Sequence, residues 1–266
     1  MRIRQPQEFP TGYTPITAIG GSAMGGSHPD MLMDFGILRL APGGRYASAA
    51  ELERAFLLLD GELELEWEAG ERRIQRRSLF DQPPWCLHLP AGSRVSFTAG
   101  AGGAELSCHA AANPGRFPAH LYPPEECASE ERGKGTLRET STRIVRTIFD
   151  DRNAPRANLV LGEVITYPGK WSSYPPHHHP QPEIYHYRFL PAGGFGLTAI
   201  GQQAYVLADR DTVLIREGEV HPQAAAPGYA MYYLWVIRHL EGRRYRNPTF
   251  LPEHAWTMKP EAKIWP

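Results

Sequence analysis

The chain has 266 residues, 28 Lys and Arg against 29 Asp and Glu, a net charge of -1 and an apolar fraction of 42%. That length holds one large domain or two of ordinary size with a real core, and the balanced charge leaves no electrostatic footprint for nucleic acid or an anionic membrane, so a small molecule is the expected partner. No run approaches the roughly 20 apolar residues of a bilayer span, and MRIRQPQEFP lacks the apolar segment of a secretory signal, which points to a soluble cytoplasmic protein. Cys86, Cys108 and Cys127 are odd in number and form no CxxC pair, so neither a disulfide framework nor a cysteine zinc site is indicated. Cys86 and Cys108 lie in apolar runs and read as buried, inert thiols.

The apolar runs are short, often β-branched or aromatic, and separated by turn residues, with 26 Gly and 25 Pro in the chain. This pattern predicts an all-β sandwich or barrel. In chain order, strands are expected through MLMDFGILRL, RAFLLLDGELELEW, WCLHLPAG, RVSFTAG and AELSCHAA. ELELEW alternates strictly, as a half-buried strand does. SAAELERAFLLL could pass for a helix, but it runs into Leu59-Asp60-Gly61-Glu62, which reads as a hairpin turn, so a loop and then a strand are expected. NPGRFPAHLYPPEECASEERGKGT, polar and rich in Pro and Gly, reads as a linker. Strands then follow in RIVRTIFD, ANLVLGEVITY, EIYHYRFL, GFGLTAI, QAYVLA, TVLIREGEVH and YAMYYLWVIRHL. The expected domains are residues 1–125 and 126–266.

The two halves look alike in order. Leu89-Pro90-Ala91-Gly92-Ser93-Arg94-Val95 in the first corresponds to Ile215-Arg216-Glu217-Gly218-Glu219-Val220-His221 in the second, with Val95 standing where His221 stands. Two β-barrels are expected, of which only the second kept polar ligands. His28, His88, His109 and His120 are scattered, and the first barrel is expected to be metal-free.

The sharpest feature is Pro176-His177-His178-His179-Pro180-Gln181-Pro182-Glu183. On an extended strand His177 and His179 project from one face and His178 from the other. The prolines cannot continue a central strand, and a short turn there brings Glu183, at the head of the next strand, beside the two imidazoles. Two neutral imidazoles and a carboxylate suit a divalent first-row metal such as Mn, Fe, Ni or Zn, with His221 the candidate fourth ligand. A lone H-x-H in a Pro-rich segment is more often solvated; Glu183 and the distant G-x-x-H favour the metal.

These residues resemble the cupin superfamily, whose first motif has H-x-H, three or four residues and then E, and whose second has P-x-G-x-x-H. His177, His179, Glu183 and His221 match; Arg216 stands where the second motif usually has Pro. More narrowly, GKWSSYPPHHH (169–179), Tyr185 to Pro191, Gly194-Phe195-Gly196, Met231-Tyr232-Tyr233-Leu234 and Arg132-Gly133-Lys134-Gly135 resemble the 5-deoxy-glucuronate isomerases of bacterial myo-inositol catabolism. That family usually has a longer insertion between the second histidine and the glutamate than Pro180 to Pro182. The resemblance implies two tandem cupin barrels, a bicupin, with one divalent metal ion, and the interconversion of 5-deoxy-D-glucuronate with 5-dehydro-2-deoxy-D-gluconate.

For such a reaction Tyr185 and Tyr187, on the face of Glu183, are candidate proton relays or substrate contacts, and aromatic core filling is the competing explanation for both. Glu163 and Tyr167 share a face and are further candidates. Lys170 or Arg188 could bind the substrate carboxylate, although strand parity turns Arg188 outward with His186. The uronate ketol-isomerase of pectin breakdown, an Fe(II) cupin dioxygenase and a non-enzymatic sugar-acid-binding cupin are the competing functions. Exposed strand edges make a homo-oligomer a reasonable expectation.

Overall fold

Short β-branched and aromatic runs punctuated by Gly and Pro leave the backbone few alternatives to extended structure. The structure, a computed structural model, describes residues 1–24, 26–259 and 261–265. In the first half the strands are β1 (Arg2–Ile3), β2 (Gly12–Thr17), β3 (Asp34–Leu40), β4 (Arg45–Ala49), β5 (Glu53–Trp67), β6 (Gly70–Arg76), β7 (Cys86–Leu89), β8 (Arg94–Ala111) and β9 (His120–Tyr122). There follow β10 (Glu130–Arg132), β11 (Arg143–Phe149), β12 (Leu159–Thr166), β13 (Trp171–Ser172), β14 (His177–His178), β15 (Glu183–Leu190), β16 (Phe195–Ile200), β17 (Gln203–Ala208), β18 (Thr212–Ile215), β19 (Gln223–Ala225), β20 (Ala230–Arg238) and β21 (Thr249–Phe250). Among the described residues, no helix is long and apolar enough to cross a membrane.

Two units divide the chain. The N-terminal unit is Glu8–Ala128 with Ile148–Val160; the C-terminal unit is Met1–Gln7, Ser129–Thr147 and Leu161–Pro266. A single cut between residues 125 and 126 does not describe this division. β1 pairs with β18 through Arg2↔Val213 and so belongs with the C-terminal unit. The 148–160 segment belongs with the N-terminal unit, where the amides of Asn158 and Leu159 donate to the buried Glu53 carboxylate at 2.6 and 3.1 Å. Nor is 113–136 a bare linker, since it supplies edge strand β9 to β7 and edge strand β10 to β11.

The sheet of the N-terminal unit runs β2-β3-β8-β5-β7-β9, with β4 added to β8 and β6 to β5. The hairpin expected at residues 59–62 is absent. β5 passes straight through as a 15-residue strand, with register shifts between Leu58 and Asp60 and between Gly61 and Leu63. Gly61 has φ +95°, and a Cβ there would sit 2.3 Å from the Gly103 carbonyl oxygen. Asp-Gly therefore serves a bulge, which needs the same left-handed glycine as a tight turn. RVSFTAG and AELSCHAA are likewise one strand, β8, not two. Each long strand changes partners at its bend: β5 pairs with β7 before it and β6 after it. The enclosed core is apolar, with Phe56, Leu58, Leu63, Leu65, Val95 and Phe97 at its centre.

One buried histidine is expected to make this unit acid-sensitive. His109 bonds Ser107 Oγ through Nε2 at 2.9 Å, packs 5.3 Å from the Phe35 ring, and is pushed down to about 3 by burial. The fold thus keeps the imidazole neutral while the unfolded chain protonates near the ordinary value of 6.5. Between pH 6.5 and 3 the unfolded state binds the extra proton, so the stability contribution is complete above pH 6.5 and falls by about 1.4 kcal/mol per pH unit below it. His109→Gln should flatten that slope in urea titrations at pH 6, 5 and 4; an unchanged slope would assign the acid sensitivity elsewhere.

The C-terminal unit repeats the plan in separate pieces. Its seven-stranded sheet runs β1-β18-β15-β20-β12-β11-β10 and its four-stranded sheet β13-β19-β16-β17, with β14 and β21 a small pair. The core lies between these sheets: Val145, Val164, Tyr185, Tyr187, Val213 and Tyr233 come from one, and Ile200, Leu207 and Ala225 from the other. β15 and β16 stand where β5 runs through, β18 where β7 stands, and β19 and β20 where β8 runs through. β13 pairs with β19 as β4 pairs with β8. This correspondence is the duplication read from the sequence, and the fold is an all-β bicupin.

Candidate metal centre

The paired registers show what separates the two units. Glu183 opposes Ile215 at the end of β18, just as Arg54 opposes Leu89 at the end of β7. Three residues past the left-handed Gly218 and Gly92 come His221 and Val95. The N-terminal unit therefore has a buried guanidinium where the C-terminal unit has a carboxylate; Arg54 bonds Ser48 Oγ at 2.6 Å and the Ser93 carbonyl. Phe56 and Leu58 likewise stand where Tyr185 and Tyr187 do. The link from β4 to β5 is only residues 50–52, whereas that from β13 to β15 covers 173–182 and carries the histidines.

Side-chain and backbone bonds pin this longer link. The His179 carbonyl accepts from the Gly218 amide at 3.0 Å and the Pro182 carbonyl from the Arg238 amide at 3.1 Å. On its other side, β14 pairs with β21 through His177↔Phe250. Gln181 Nε2 donates to the Arg243 carbonyl at 2.6 Å, and the Tyr245 ring lies 5.0 Å from that of His179. β15 begins at Glu183, directly after the Pro-Gln-Pro segment.

His179, Glu183 and His221, all buried, offer ligand atoms within 4.8 Å of one another. Glu183 Oε2 lies 3.1 Å from His179 Nε2 and 3.3 Å from His221 Nε2. The opposite ring nitrogens set the tautomers. Nδ1 donates to the Gln181 carbonyl in His179 (2.9 Å), to the Glu219 carbonyl in His221 (2.8 Å) and to the Pro175 carbonyl in His177 (2.9 Å). A carbonyl only accepts, so each Nδ1 carries a proton and each Nε2 is the ring nitrogen left for other partners. Burial holds His221 below its ordinary pKa and pushes His177 down to about 4, which keeps both rings neutral. The two Nε2 atoms thus converge on one carboxylate oxygen, that of His179 within hydrogen-bond distance of it, while His221 Nε2 has no hydrogen-bond partner. Two imidazole nitrogens and a carboxylate oxygen converging in this way are N/O donors that suit a divalent first-row metal. His177 stands beside the trio, its ring 4.8 Å from that of His221, while His178 takes no part in it.

A hydroxyl network adjoins the cluster. Tyr185, whose ring is 5.7 Å from that of His221, bonds Ser173 Oγ at 3.1 Å; Gln223 Nε2 donates to the same oxygen at 3.3 Å; Tyr187 donates to Gln223 Oε1 at 2.6 Å. Tyr233, 4.7 Å from Tyr185 between ring centres, bonds Ser172 Oγ at 2.6 Å. Burial raises all three phenols, so they are protonated donors. Ser172, Ser173 and Tyr233 stood in the sequence only within the motifs that carry the resemblance, with no role assigned, and Gln223 was not singled out, although it follows His221 by two residues and so shares its face of an extended segment.

The other sequence candidates stand apart. Glu163 neighbours the interior residue Val164 and turns to the opposite face of the sheet, where Arg146 Nη1 donates to it at 2.8 Å and the Tyr232 hydroxyl at 2.9 Å. Tyr167 donates to Glu131 at 3.2 Å, and the Lys170 ammonium lies over the Tyr167 ring at 5.5 Å. Arg188 lies outward as parity indicated, 3.0 Å from His186 Nε2.

The KduI/IolB family model matches residues 5–257. A 5-deoxy-glucuronate isomerase of Geobacillus thermodenitrificans is 30% identical, the match covering 78% of this chain and 79% of that protein. One of Lacticaseibacillus casei is 27% identical, over 95% and 96%. Among solved structures, an IolB-like protein of Salmonella typhimurium superposes with a TM-score of 0.78 at 28% identity, covering 85% of this chain and 90% of that one. The oxalate decarboxylase of Lactobacillus farciminis, at TM-score 0.60 and 12% identity over 83% and 80%, shares the fold alone. With the family model spanning nearly the whole chain, this protein belongs to the KduI/IolB family.

Proposed function

We propose that this protein is a 5-deoxy-glucuronate isomerase, converting the aldose acid 5-deoxy-D-glucuronate to the ketose acid 5-dehydro-2-deoxy-D-gluconate in myo-inositol catabolism, as a cytoplasmic and homo-oligomeric enzyme. The observation that carries the reading is the convergence of His179, Glu183 and His221, with His221 Nε2 left without a hydrogen-bond partner, beside a set of protonated phenols. His177, His179, Glu183 and His221 would hold one divalent ion, Mn, Zn, Ni or Fe. Bound there, it supplies a Lewis acid for a carbonyl and its neighbouring hydroxyl without changing redox state.

Aldose-ketose isomerisation moves a proton between adjacent carbons while negative charge builds on oxygen. Tyr185 and Tyr233, as protonated phenols, donate to substrate oxygens and stabilise that charge. Ser173 links Tyr185 to Gln223 and gives the Tyr185 proton a path. Tyr187 acts through Gln223, whose amide it orients. Glu163, paired on the far face, takes no part.

The test is proton NMR of 5-deoxy-D-glucuronate with the metal-stripped protein, before and after adding manganese. Loss of the anomeric signals only after metal addition is the expected result. No conversion with any first-row metal would overturn the reading, and conversion of the pectin-derived deoxy-uronate instead would reassign the substrate.

A further inference from the structure

A uronate carries its reacting carbonyl at one end and a carboxylate at the other. A site for it needs a cation on the far side from the metal cluster; Arg188 lies on the opposite strand face from Tyr185 and Tyr187, and Lys170 lies over the Tyr167 ring. Arg143, which the sequence did not single out, is half-buried and on the core-facing side of its strand. It opens β11 two residues before Val145 and so shares the face that packs with Tyr185, Tyr187 and Tyr233. Its guanidinium meets only backbone oxygens: Nη1 donates to the Ser141 carbonyl at 2.7 Å and Nη2 to the Tyr174 carbonyl at 3.1 Å. Among the described residues no carboxylate forms an ion pair with it, and two hydrogen bonds leave three of the five guanidinium N–H groups available.

Its position relative to the cluster follows from shared neighbours. Tyr174 continues the Ser172-Ser173 segment that bonds Tyr233 and Tyr185. The Arg143 charge acts on the phenols of both, and Tyr233 also feels Glu183. Arg143 is thus joined through the Ser172–Tyr174 segment to the two phenols that adjoin the histidine cluster. A metal cluster, hydroxyl partners and a cation set together in this way complement a carbonyl, a run of hydroxyls and a carboxylate. A half-buried guanidinium without a carboxylate partner carries part of its desolvation cost uncompensated, which an incoming carboxylate would offset through a charge-assisted pair.

We propose that Arg143 is the residue that binds the substrate's carboxylate, making the site selective for uronic acids over neutral sugars; this rests on the isomerase reading of the same site. The experiment compares wild type, Arg143→Gln and Arg143→Lys on 5-deoxy-D-glucuronate and on 5-deoxy-glucose, its neutral counterpart with a hydroxymethyl group in place of the carboxylate. Wild type should prefer the acid by roughly 100-fold or more in kcat/KM, the scale of a buried charge pair. Arg143→Gln should erase that preference through a higher KM for the acid while leaving kcat/KM for the neutral sugar within about threefold, and Arg143→Lys should restore part of it. An arginine that merely braced the Tyr174 segment would lower both substrates alike, and this outcome, or a wild type without preference for the acid, overturns the proposal. The wild-type comparison holds even where Arg143→Gln does not fold. A wild type idle on both sugars overturns the isomerase reading itself and this proposal with it.

Discussion

Replacing His179 by Ala should lower kcat/KM for 5-deoxy-D-glucuronate by about a thousandfold or more and leave the purified protein without stoichiometric divalent metal. The size follows from the chemistry: Lewis-acid stabilisation of developing oxyanion charge is worth several kcal/mol, and each 1.4 kcal/mol is a factor of ten. His179 is well suited to this test because its Nδ1 is already committed to the Gln181 carbonyl, so what the substitution removes at the cluster is the Nε2 atom and its contact with Glu183. Glu183 and His221 then face each other alone at 3.3 Å. Metal content by mass spectrometry and turnover should fall together. Because metal binds only the folded cluster, adding manganese should raise the melting temperature of the stripped wild type and not that of the variant. A variant that keeps the wild-type rate after metal removal would sink the assignment of this cluster as the reaction centre.

The approach of His179, Glu183 and His221 was legible in the sequence because its spacing is short and chemical, H-x-H, a proline turn, then Glu183 heading a strand, while His177 stands beside the trio and not in it. The duplication was legible in Gly92 and Gly218, each with a strand-facing side chain three residues on. What misled was punctuation. Asp60-Gly61 is the strongest short hairpin signal a sequence offers, yet β5 runs through it, because a bulge also needs a left-handed glycine. In the C-terminal unit the same place, residues 191–194, is a true break between β15 and β16. Facing was the other loss. Every residue of β12 is buried, so LVLGEVIT carries no alternation from which the side of Glu163 could be read. Arg143 was hidden for a related reason, since RIVR has basic residues on both faces and only packing shows that Arg143 sides with Val145 and Arg146 with Glu163.

That outer pair leads to the largest expected effect on stability. Arg146 and Glu163 are 3% and 0% exposed, joined at 2.8 Å, with Tyr232 donating to the second carboxylate oxygen at 2.9 Å and Ser129 Oγ meeting Arg146 Nε at 2.9 Å. Taking two charges out of water is costly, and good geometry with full hydrogen bonding is what offsets it. Glu163→Ala removes the carboxylate and leaves the guanidinium buried beside a cavity, so a loss of about 3–5 kcal/mol is expected in urea titrations followed by tryptophan fluorescence. Replacing both partners with apolar residues, as Arg146→Met with Glu163→Leu, should recover most of that loss, because neither charge is then stranded. Both proteins, where folded, should keep metal content and kcat within about twofold of wild type, since the pair lies across the sheet from Tyr185 and the histidines. A Glu163→Gln enzyme with intact stability and metal but kcat down by orders of magnitude would contradict this, and would return Glu163 to the catalytic machinery as its missing proton acceptor.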